Sequence, residues 1–85
     1  MTLAVELTTA ARRDLKRLDP SDLERVDACI LSLANDPRPR GSLKLQGERS
    51  LYRVRLGRLR VLNEIEPERI VVARIRHRRD AYRRG

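Results

Sequence analysis

Between Leu51 and Leu56 the chain alternates without a break, Tyr52, Val54 and Leu56 interleaving with Arg53 and Arg55. A strand sends successive side chains to opposite faces, so one face here is apolar and the other carries guanidinium groups. That pattern calls for an apolar layer on one side of a sheet and water or a ligand on the other. Gly57-Arg58 follows as a two-residue hairpin turn with Gly at its first central position. Leu59, Val61 and Ile65 then alternate with Arg60, Leu62 and Glu64. Glu66-Pro67-Glu68-Arg69 turns the chain again, and the β-branched stretch Ile70 to Arg76 reads as a further strand.

The layer that covers the apolar face comes from the first half. Leu3, Val5 and Leu7 alternate as a short strand. Thr8 or Thr9 caps a helix to about Leu18, with Ala11, Leu15 and Leu18 on one side. Asp19-Pro20-Ser21-Asp22 restarts it, with Asp at the cap, Pro at the first helical position and an acid in the first turn. Leu23, Val26, Ile30 and Leu33 then recur at helical spacing. So short a connection predicts an antiparallel helical hairpin. Asn35 to Gly41 holds two prolines and a glycine and is a loop. The expectation is an α+β fold: an N-terminal strand, a helical hairpin, then a three-to-four-stranded, mostly antiparallel sheet in the order β-α-α-β-β-β. Residues 1–85 are read as a single domain, since a chain this size builds only one modest core.

Charge is divided unevenly along this plan. Residues 1–42 carry seven Lys/Arg and seven Asp/Glu, whereas residues 43–85 carry thirteen against five, so the net +8 lies in the second half. A one-sided field of this kind attracts polyanions. If Tyr52, Val54 and Leu56 face the helices, Arg53 and Arg55 face away, and Arg60 joins them across the hairpin. Like charges opposed across strands are destabilising, so the cluster needs acidic neighbours or a polyanionic ligand. Glu64 and Glu66 would be the neighbours on a merely solvated face. Arginine's planar fork of donors suits the phosphodiester on the other reading.

Arg74 to Arg84 places His77 and Tyr82 inside a basic run, and an exposed ring beside arginines can stack a splayed base. Tyr52, by its strand phase, belongs to the core. The single cysteine, Cys29, excludes an internal disulfide and lies near the inner stripe of the second helix as a buried thiol. One histidine gives no basis for a zinc site, and no cofactor is expected. No apolar run approaches a membrane span, so the chain is read as cytoplasmic, with no membrane partner.

Taken in order, Thr-Ala-Ala-Arg-Arg-Asp-Leu-Lys-Arg-Leu at 9–18, Asp36-Pro37, Lys44-Leu45-Gln46-Gly47, Tyr52-Arg53-Val54-Arg55, Arg60-Val61-Leu62 and His77-Arg78-Arg79-Asp80-Ala81-Tyr82 resemble the RelE/ParE toxin superfamily over nearly the whole chain. The RelE branch implies a metal-independent endoribonuclease that cuts mRNA in the ribosomal A site. A ribose 2′-OH attacks the adjacent phosphate, leaving a 2′,3′-cyclic phosphate and a 5′-OH. On that resemblance Arg60 holds the extra charge of the phosphorane, Arg78 serves the phosphate or leaving oxygen, and Tyr82 orients the nucleotide. Arg53 and Arg55 fall on the paired basic strand positions, with Lys44, Arg76 and Arg79 as further RNA contacts. The family's well-known members carry lysines at the paired positions. Arginine binds charge but is a poor base, which leaves His77 as the base candidate and Glu64 as a weaker one. A ParE-like inhibitor of DNA gyrase without nuclease activity is the alternative. Either branch implies an antitoxin with an acidic amphipathic segment, assembled with the toxin as a hetero-oligomer.

Overall fold

Thr8 opens the first helix and also ties it to the last strand. Its hydroxyl accepts from the Ala11 N–H at 3.0 Å and donates to the Ala73 carbonyl at 2.7 Å. The computed structural model describes residues 3–45 and 51–77. In chain order its elements are β1 (Ala4–Leu7), α1 (Thr9–Lys16), α2 (Pro20–Leu33), β2 (Ser42–Lys44), β3 (Leu51–Leu56), β4 (Leu59–Ile65) and β5 (Arg69–His77). Asp19 caps α2 as expected, its carboxylate accepting from the Asp22 N–H at 2.8 Å with Pro20 in the first turn. Gly57 takes φ +62° at the first central position of the β3–β4 hairpin, a conformation open to glycine without strain.

The strands form one sheet in the order β1-β5-β4-β3-β2. Only the β1–β5 pair is parallel, and the others are antiparallel. The α+β class holds, and four strands follow the helices, the upper end of the expected three to four, although the order β-α-α-β-β-β named only three. That extra strand, β2, spans only three residues and pairs Leu43 with Arg53 on the sheet edge.

The core lies between the sheet and the helices. Val54, Leu59, Val61, Ile70, Val72 and Ile75 supply the sheet side, with Ala11 from α1 and Val26 and Leu33 from α2. Burying one such valine, leucine or isoleucine side chain contributes about 1.5–3 kcal/mol. The strand phase needs one correction to bring Ile70, Val72 and Ile75 to the same side. Leu62 pairs with Arg74 but Asn63 pairs with Val72, so Ala73 is an extra residue in β5. This bulge resets the alternation and turns Arg74 and Arg76 toward the outer face.

β1 ends at Leu7 while β5 runs on to His77, which leaves the second half of β5 without a strand on that edge. α1 and its cap take the strand's place. The Thr8 N–H donates to the Val72 carbonyl at 3.1 Å, and the Ile75 N–H donates to the Asp14 carboxylate at 2.9 Å. Backbone groups that would otherwise be orphaned at a partly covered edge are thereby satisfied. Among the described residues no helix is long and apolar enough to cross a membrane.

Candidate nucleic-acid interface

The outer face of the sheet carries a row of three arginines in direct register. Arg55 on β3 is opposite Arg60 on β4, and Arg60 is opposite Arg76 on β5. Side chains so paired have Cβ atoms about 4.5–5.5 Å apart. One row along, Leu43, Arg53, Leu62 and Arg74 follow one another across β2 to β5. Leu62 is only 9% exposed although it lies outside the core cluster. Its cross-strand neighbours are Arg53 and Arg74, and long cationic side chains can cover apolar surface while their heads stay in water.

Arg60 is fixed at its guanidinium end. Its Nη1 donates to the Gly57 carbonyl at 2.8 Å and to the Leu59 carbonyl at 2.9 Å, holding the head over the hairpin. The Nε atoms of Arg53 and Arg60 are buried without a hydrogen-bond partner. Among the described residues, Arg53, Arg55, Arg60 and Arg76 make no ion pair.

Among the described residues, several acids are committed elsewhere. Glu6 and Glu66 both hold Arg69, at 2.8 and 2.7 Å. Asp19 and Asp22 hold Arg58, at 3.5 and 3.2 Å, which ties the hairpin turn to the start of α2. Glu64 lies between Leu51 and Val71, four residues beyond Arg60 on β4 and so roughly 13 Å along the strand. Among the described residues, neither Glu64 nor Glu66 forms an ion pair with Arg53, Arg55 or Arg60.

The remaining site residues distribute as follows. His77 is opposite Leu59, which sets it on the helix side of the sheet rather than with Arg60. It is half-buried and lines a cleft with Asp14, Arg17, Leu18, Arg74, Ile75 and Arg76. Lys44 is opposite Tyr52, again the helix-side face, so it does not extend the arginine surface. Tyr52 points inward as its phase requires and is half-buried, with the Arg38 guanidinium 5.5 Å from its ring centre. Arg78, Arg79 and Tyr82 lie outside the described residues, as do Gln46 and Gly47.

One residue that shapes the interface escaped the sequence reading. Asp14 accepts from Arg74 Nε at 2.8 Å and Arg74 Nη2 at 3.1 Å, besides the Ile75 N–H. Burial alone would raise its pKa. The Arg74 hydrogen bonds, the Ile75 N–H and the charges of Arg74 and Arg76 outweigh burial and hold it below the ordinary carboxylate value. Arg74 is raised in turn, chiefly by its bond to Asp14. The available signal was position: Asp14 shares the inward helical phase of Ala11 and Leu18, where a lone acid needs a partner.

A five-stranded sheet is thus backed by two helices and carries cations gathered on its open face. The chain belongs to the RelE/ParE toxin superfamily, residues 5–82 matching the family described as "ParE toxin of type II toxin-antitoxin system, parDE". It is similar to RelE1 of Methanocaldococcus jannaschii, 32% identical over 88 residues that cover 98% of each chain. It is also similar to toxin RelG of Mycobacterium tuberculosis, 34% identical over 87 residues covering 99% of this chain and 100% of that one. Among solved structures, the RelBE2 toxin–antitoxin complex from Mycobacterium tuberculosis contains a chain that matches with a TM-score of 0.81 at 32% identity. That match covers 92% of this chain and 100% of the other.

Proposed function

We propose that this toxin is a metal-independent endoribonuclease that cuts mRNA on the ribosome and is held silent by a cognate antitoxin. The observation that carries the reading is the Arg55–Arg60–Arg76 row, three paired cations with no acid among them. A phosphodiester laid along that row would receive donors from three strands at once. Arg60, already oriented by the hairpin carbonyls, is the group to meet charge as it develops on phosphorus. In the reaction the ribose O2′–phosphorus bond forms and the phosphorus–O5′ bond breaks. The 2′-OH proton passes to a base, and the departing O5′ takes up a proton.

None of the row's arginines can be that base. His77 and Lys44 face the other side of the sheet, so the acceptor comes from outside the row, and bound ribosome is the proposed source. Arg78 and Tyr82 keep the roles their resemblance implies, in leaving-group contact and nucleotide stacking. Support for the antitoxin comes from the matched RelBE2 structure, which is a toxin–antitoxin complex. An acidic amphipathic segment would complement the net charge of +8.

The family match is to ParE, which favours gyrase inhibition as the second reading. The two separate in one experiment: purified toxin is incubated with programmed ribosomes and the 5′ ends of the message are mapped. New 5′-OH ends at discrete codons support the nuclease. Intact message together with inhibited gyrase supercoiling supports the alternative.

A further inference from the structure

Arg60 leans on the turn that precedes it. Its Nη1 donates to the Gly57 and Leu59 carbonyls, while its Nε is buried without a partner, which leaves Nη2 to meet a phosphate oxygen. The two acceptors are not equally secure. Leu59 is 3% exposed and packed into the core, so its carbonyl moves only with the sheet. Gly57 stands in the turn itself, at φ +62°, and glycine has more backbone freedom than any other residue. A two-residue turn does not by itself hold such a carbonyl still.

The start of α2 grips that turn at both of its central residues. Arg58 Nη2 meets Asp22 at 3.2 Å and Asp19 at 3.5 Å. Neither acid is loose. One Asp19 oxygen caps α2 through the Asp22 N–H, and the Asp22 side chain is only 11% exposed. At Gly57, Arg25 of α2 brings its Nη1 within 3.0 Å of the point where a Cβ would stand. Arg58 itself is largely exposed, and an exposed ion pair adds little to stability, so its use lies elsewhere. We propose that Arg58, anchored by Asp19 and Asp22, is a positioning residue for the reaction: it holds the turn so that the Gly57 carbonyl aims the Arg60 guanidinium at the scissile phosphate. The inference rests on the nuclease reading and adds to it a part played from the helical layer. Arg58 contributes no RNA contact of its own, because two carboxylates already occupy its charge. A donor aimed in advance needs no reorganisation as the barrier is crossed, and a misplacement of about 1 Å can cost roughly 10²-fold in rate.

The test pairs two measurements on the purified toxin. Nitrogen-15 relaxation of the arginine Nε–H groups reads the mobility of Arg60 without any reaction. In Arg58→Gln the Arg60 order parameter is expected to fall from about 0.8 to below about 0.6, with that of Arg53 unchanged and the backbone amide spectrum retained as the control for folding. Cleavage on programmed ribosomes reads the consequence: kcat should drop about tenfold while KM stays within about twofold. Arg58→Lys keeps a cation within reach of the two carboxylates and should recover most of both losses. Asp22→Asn loosens the same tie from the helix side and should repeat them, so the outcome does not hang on one variant. In an Arg60→Ala background, Arg58→Gln should slow cleavage by less than about twofold, since the group it aims is gone. An unchanged Arg60 order parameter overturns the inference. So does a tenfold loss that persists with Arg60 removed, which would mean that Arg58 acts on the fold or on RNA directly. If the parent leaves the message uncut while the order parameter falls in the variant, the nuclease reading fails and the positioning of Arg60 stands.

Discussion

Asp14 on α1 and Ile75 on β5 are joined by a 2.9 Å hydrogen bond from the Ile75 N–H to the Asp14 carboxylate, so a helix side chain completes the edge of the sheet. The same carboxylate holds Arg74, which connects the fold of the edge to the aim of the cationic face. Asp14→Asn is expected to cost about 1.5–3 kcal/mol at pH 7, the range for hydrogen bonds to a charged group. Because the folded-state pKa is lowered, this stabilisation is present above the ordinary carboxylate value. It is lost as pH falls through the lowered one. Urea unfolding of parent and variant checks this: the gap between them should be wide at pH 7 and should close in strong acid.

Asn63 is fully buried, and neither its Oδ1 nor its Nδ2 has a hydrogen-bond partner. It lies between Tyr52 and Val72 on the inner face of the sheet. An unpaired buried amide carries its desolvation cost without return. Asn63→Val, which suits a strand and differs modestly in volume, is expected to raise stability by about 1–2 kcal/mol. Thermal melts read the change, and an unchanged or lower melting temperature counts against the unpaired amide.

Arg60→Ala is expected to lower the rate of message cleavage by about 10²–10³-fold, the usual effect of removing one preorganised donor. The fold should change little, because of the two carbonyls that Arg60 meets the Gly57 bond is exposed and the Leu59 bond only part-buried. Arg60→Lys should recover only part of the rate, since a point charge does not reproduce a planar fork. Single-turnover cleavage on programmed ribosomes, with far-UV circular dichroism as the control, distinguishes a lost donor from a lost fold.

Cys29 is half-buried on α2, and burial pushes its thiol pKa up. Less of it is thiolate near neutrality than for a free cysteine, so iodoacetamide should modify it slowly in the native toxin at pH 8. Unfolding in urea should raise the rate several-fold. Equal rates in native buffer and in urea would show that the site is open.

Much of the fold was legible because it rests on local chemistry. The caps at Thr8 and Asp19, the Gly57 turn and the alternation of β3 and β4 each follow from residues close in sequence. The pairing of Arg55 with Arg60 was legible for the same reason, since strand phase and a two-residue turn fix which side chains meet. What escaped depends on contacts distant in sequence. β2 is three residues long, too short for any period. The extra residue at Ala73 exists only relative to β4, and it decides the phase of Arg74, Arg76 and His77. Counting charge by halves concealed the exposed cations Arg12, Arg13 and Lys16 of α1, because Asp14 cancels one on paper while lying buried on the other side of the helix. Lys44 was grouped with the RNA-contacting arginines, whereas pairing with Tyr52 places it across the sheet.

The parallel pairing of β1 with β5 has a consequence for biosynthesis. β5 is the last strand made, yet it occupies the second place in the sheet, between β1 and β4. Until it emerges, the opening strand has no neighbouring strand, Asp14 has no edge to cap, and Arg60 has Arg55 opposite it but not Arg76. A nascent chain without β5 therefore has an unpaired first strand and only part of its cationic row.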